Sequence, residues 1–137
     1  MLSLINPNLI SDSVLILQWV IFLLLLFTYY LANKRDIKTH ERLVISLFVV
    51  ETLFNLYMLT RFFTLLNNLP VIVIIHATLG FFAYLLILYT ILYMTEILPN
   101  SLRFMPQEKR IWLMRTALVV WLFFTFSGTI VYIALYL

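Results

Sequence analysis

The chain has 137 residues, enough for a single domain. It is 64% hydrophobic and only 11% charged, with a mean hydropathy of +1.06, whereas soluble domains run at about 45–50% apolar and about 25% charged. Too few polar residues remain to cover a water-facing surface, so lipid is the medium for most of the chain, and the complete lack of cysteine excludes disulfides, thiolate metal sites, iron–sulfur clusters and covalent c-type haem.

A membrane span needs about 20 mostly apolar residues. The first candidate covers residues 14–32, where Gln18 and Thr28 are the non-aromatic polar interruptions. No Lys or Arg precedes it, and its apolar run is long for a cleaved signal peptide, so it reads as a retained anchor. A short loop follows, and that loop with its flank carries Lys34, Arg35, Lys38 and Arg42. The second span is expected over 43–66 and contains Glu51, Asn55 and Arg61. After the breaker Asn67-Asn68-Leu69-Pro70, the third covers 71–95. The long connection, about 96–110, holds Pro99 and Pro106 as helix stops, and the fourth span covers 111–137.

Basic residues set the expected topology. Arg103, Lys109, Arg110 and Arg115 flank the third connection, so eight of the nine basic residues fall on one side and only Arg61 lies toward the other. The positive-inside rule makes that side cytoplasmic and places both termini outside. This arrangement also accounts for the pI of about 9.3 without any nucleic-acid partner. The expected fold is all-α: an up-down bundle of four transmembrane helices in one domain, with sequence neighbours joined by the first two short loops packed antiparallel. With two glycines in the chain, close GxxxG crossings are not available, and large side chains must do the packing.

Ionisable groups at membrane depth cost several kcal/mol (~2.5–3.5 on insertion scales) unless paired, which makes them functional candidates by default. On a helix of about 100° per residue, His40, Glu51, Asn55 and Met58 lie within about 60° of one another, with Arg61 at the edge of that stripe. On the third span His76 shares a face with Gly80 and Ala83, which leave room for a neighbouring helix or a flat ligand. By depth, His76 and Arg61 fall in one layer with Gln18, Ser127 and Thr129, while Glu51 sits near mid-membrane. His40 falls at the inner boundary with Trp112 and Arg115, about 30 Å from His76, too far to share a metal. Each residue also has a plain structural reading. His40 follows a Thr39 cap at the interface, His76 is a hydrogen-bonded interior histidine, Glu51 bonds Asn55 or a hydroxyl, and Arg61 snorkels outward.

Two segments carry a family resemblance. One is His40-Glu41-Arg42-Leu43-Val44 continuing into ISLFVVETLFNLYML; the other joins Ile75-His76-Ala77-Thr78-Leu79-Gly80 to the closing run from Arg115 through Trp121, Ser127 and Gly128 to Tyr132. Over residues 38–137 the chain resembles the CtaM-like (YozB-like) family of small membrane proteins. The resemblance implies a link to haem-copper terminal oxidases, as a maturation factor or accessory subunit of the respiratory chain, and carries over His40, His76, Arg115, Trp121, Gly128 and Tyr132. Where that family has a further histidine before the last span, this chain has Lys109-Arg110. The leading expectation is a non-catalytic membrane protein whose partners are lipids and oxidase subunits. The alternative is a haem-b electron carrier built on His76, with Met58 as second ligand and Arg61 for a propionate. A proton path around Glu51 is a third class, without the repeated halves or broken helices of transporters. No nucleophile–base pair or phosphate loop suggests an enzyme.

Overall fold

The computed structural model describes residues 7–65, 67, 69–104 and 106–136. Helix α1 spans Pro7–Asn33, α2 Ile37–Leu65, α3 Val71–Met94 and α4 Arg110–Tyr136. Among the described residues these are four helices long and apolar enough to cross a membrane.

The helix ends differ from the hydropathy limits for local reasons. α1 starts at Pro7, seven residues before the expected span; a proline lacks the N–H that a first turn would leave unpaired and has its φ preset. α2 starts at Ile37, six residues early. Its cap is Asp36, whose Oδ1 accepts the Thr39 backbone N–H at 3.4 Å. Thr39 is therefore inside the first turn and is not the cap expected of it. Between the two helices Arg35 takes the left-handed conformation, φ 62°, and the Asp36 N–H donates back to the Leu31 carbonyl at 3.1 Å. Both proline stops of the long connection lie beyond the true end of α3. That helix closes at Met94, with Thr95 as its cap and Glu96 at φ 60°, while Pro99 caps a 3₁₀ turn, Asn100–Leu102. A second 3₁₀ turn, Gln107–Lys109, leads into α4.

Close packing runs in the order α2, α1, α4, α3. The expected contact between the sequence neighbours α2 and α3 is made by side chains, since their backbones are not closely packed. Aromatic side chains fill this seam instead. The Phe48 and Tyr84 rings stack with centroids 5.2 Å apart, and the Tyr84 hydroxyl lies 2.9 Å from Thr52 Oγ1. Thr52 donates to the Phe48 carbonyl, so Tyr84 is the donor of the pair. By contrast α3 approaches α4 closely at Gly80, where an added Cβ would stand 3.9 Å from Phe124 Cδ1.

The core joins α1, α2, α3 and α4 through Ile21, Leu25, Leu47, Ile87 and Trp121. Around it the surface is apolar: Leu53, Phe63, Phe82 and Phe123 are among many large side chains turned outward. In water this would be an aggregation surface, and in hydrocarbon it is the ordinary exterior of a span. Interior threonines satisfy themselves within their own helices. Thr28, Thr90 and Thr125 are buried and bond carbonyls one turn back, those of Leu25, Leu86 and Trp121.

Candidate functional site

Three polar contacts between helices involve the residues singled out in the sequence. At the end carrying most of the basic residues, His40 of α2 reaches the Thr28 carbonyl of α1, with Nδ1 2.7 Å from the oxygen. A carbonyl only accepts, so Nδ1 carries the proton and the imidazole clamps α2 to α1. Removing the ring in His40→Leu is expected to cost about 1 kcal/mol of stability, the ordinary worth of such a bond. Unfolding in mixed detergent micelles measures it, and an unchanged midpoint would show the clamp to be idle.

Further along the same pair, the Gln18 side chain of α1 hydrogen-bonds the Glu51 carboxyl of α2. The other carboxyl oxygen, Oε2, is buried without a partner. Glu51 therefore takes its partner from the adjacent helix, whereas the sequence suggested Asn55 or a hydroxyl. Asn55, one turn on, is half-buried.

The third place is the α3–α4 contact. Ser127 Oγ lies 3.2 Å from His76 Nδ1 and donates to the Phe124 carbonyl at 2.9 Å. The hydroxyl is thus the acceptor, His76 Nδ1 carries the proton, and Nε2 is left as the basic nitrogen. The Phe124 ring stands against the imidazole, centroids 6.1 Å apart. The same phenylalanine borders Gly80, where an added Cβ would stand in ordinary contact with its ring.

Met58 and Arg61, the groups expected to complete a haem site with His76, each have surroundings of their own. Met58 is 41% exposed on the outer surface of α2. Arg61 is half-buried and gives Nη1 to the Tyr57 hydroxyl one turn back on its own helix, at 3.3 Å. Among the described residues no cluster of three His, Asp or Glu could hold a metal ion. Trp121 is 5% exposed, packed edge-on against Phe48 at 6.4 Å, with its indole N–H buried and unpaired. Arg115 is exposed near the start of α4.

No family model, no curated protein and no solved structure matches this chain.

Several residues that tie the bundle together gave weak signals in the sequence. Tyr132 donates to the Asp12 carboxylate, joining the end of α4 to the start of α1. Tyr89 binds the long connection twice, donating to the Leu102 carbonyl at 3.3 Å and accepting the Phe104 N–H at 3.1 Å. Both tyrosines fall in apolar runs near helix ends, where a membrane belt is the default reading. Their hydrogen bonds depend on partners distant in sequence, so no local pattern marks them.

Proposed function

We propose that this chain is a non-catalytic, multi-pass protein of the cell membrane that serves a respiratory haem-copper terminal oxidase, as an assembly or maturation factor or a small accessory subunit. Its termini lie outside and its two basic connections in the cytoplasm, following the charge bias. The observation that supports a partner-bound role is the state of α2. Beyond the Glu51 contact with α1, this helix carries Asn55 and Arg61, packs closely only on α1, and has the smallest buried share of the four spans. Polar groups on a span otherwise open to hydrocarbon are costly, and a partner helix seated along α2 relieves that cost. The nature of the partner rests on the resemblance over residues 38–137.

The test is affinity purification after mild detergent extraction, paired with deletion of the chain. Oxidase subunits should co-purify, and oxidase activity should fall on deletion. Recovery of no oxidase subunit together with unchanged activity would overturn the proposal. The haem-carrier alternative predicts a Soret band in the isolated protein after haem supplementation. From the placement of Met58, Arg61 and Phe124, we expect the spectrum to lack that band; a band lost in His76→Ala would reinstate the alternative.

A further inference from the structure

The connection between α3 and α4 is held to the helix ends by side chains, and Ile97, Leu102 and Phe104 of it face outward. Tyr89 fixes the Leu102 carbonyl and the Phe104 N–H. Arg103 turns inward, with Nε donating to the Leu98 carbonyl at 3.1 Å and the guanidinium 5.6 Å from the Tyr93 ring centroid. Among what the loop presents are two large apolar side chains: Phe104 is 80% exposed and Ile97 71%. Leu102 and, at the start of α4, Ile111 and Trp112 are also outward. Lys109 and Arg110 are exposed beside them.

A loop immersed in water gains nothing by fixing its backbone so that a phenylalanine points out and an arginine points in. At the level where two membrane helices end, the arrangement has a natural counterpart. We propose that this connection is an interfacial anchor. Phe104 and Ile97 sit at the boundary between headgroups and acyl chains of the leaflet at the basic end of the bundle, and Lys109 and Arg110 meet the phosphates of anionic lipids there. Apolar burial and cation–phosphate attraction act together, as they do in helices that lie in the interface. The occupant is the lipid itself, which the charge pattern favours: Arg103, Lys109, Arg110 and Arg115 outnumber Glu96 and Glu108 around the connection. The inference rests on the spans lying in a bilayer, but on no particular protein partner.

The absence of cysteine makes the test direct. Phe104→Cys and, separately, Ile97→Cys are labelled with an environment-sensitive fluorophore and reconstituted in vesicles of phosphatidylcholine and phosphatidylglycerol. Both side chains are exposed, so neither substitution disturbs the fold. Each probe should be quenched by lipid carrying a shallow doxyl group more strongly than by aqueous iodide. A probe at Asn100→Cys, also exposed, should show the reverse order. Replacing phosphatidylglycerol by neutral lipid, or changing Lys109→Gln and Arg110→Gln together, should reduce the shallow-lipid quenching. Stronger quenching by iodide at either 104 or 97 overturns the anchor, and indifference to lipid charge overturns the role of Lys109 and Arg110. A probe at Leu53→Cys, outward on α2, reports separately on the spans: if deep-doxyl lipid fails to quench it, the membrane arrangement itself is at fault.

Discussion

Trp121→Ala is expected to lower the stability of the bundle by about 2–3 kcal/mol. The estimate comes from leaving ~100 Å³ unfilled at about 24 cal/mol per Å³ of cavity. Only this packing part is counted, because a span exchanges protein contacts for lipid contacts and gains little from transfer out of water. Trp121 is nearly fully buried among Ile21, Leu25, Leu47 and Ile87, at the junction of all four helices, so the surroundings cannot collapse from one side alone. Trp121→Phe should behave quite differently. It retains most of the ring volume and removes a buried N–H that has no partner, a group that costs about 1–3 kcal/mol when left unpaired. The expected change is within about 1 kcal/mol of zero. Reversible unfolding in mixed micelles separates the two variants, and equal losses would mean that the indole nitrogen has a partner of its own.

Gln18→Leu is expected to be the second most damaging change, at about 2–3 kcal/mol. It removes the hydrogen bond from Gln18 and leaves the Glu51 carboxyl buried with neither oxygen paired. Glu51→Gln keeps an acceptor toward Gln18 and should cost less than about 1 kcal/mol. The informative variant is the double replacement, Gln18→Leu with Glu51→Leu. With both polar partners gone, the pair of spans should recover most of the loss, giving a coupling of about 1–2 kcal/mol in a double-mutant cycle. Additive losses would show that the two side chains do not act as a unit. If Glu51 also served a proton path, ion flux in liposomes would fall in Glu51→Gln while stability held, so the same variant separates a structural from a transport role.

The composition and the hydropathy runs suffice for an all-helical chain with four spans, because hydrocarbon forces every backbone N–H and C=O to bond within its own segment. Counting depth from the span ends also gives the neighbourhood of one polar pair. His76 and Ser127, placed in one layer from their distances to span ends, are in hydrogen-bond contact. Gln18, assigned to the layer of Arg61, instead bonds Glu51, for which the sequence suggests Asn55 or a hydroxyl as partner. The start of α2 differs from the hydropathy limit for a local reason: hydropathy stops at the charges of Lys38 and Arg42, but the helix extends back to the Asp36 cap.

What the sequence settles alone is an apolar medium and the number of spans, since these follow from counting apolar runs along one chain. Which helices touch was left to the tertiary structure. α2 and α3 adjoin in sequence yet are separated by Phe48 and Tyr84, while α1 and α4, far apart in sequence, pack closely and are tied by Asp12 and Tyr132. Packing partners are chosen by the shapes of side chains meeting across helices, and no periodicity within one helix contains that information.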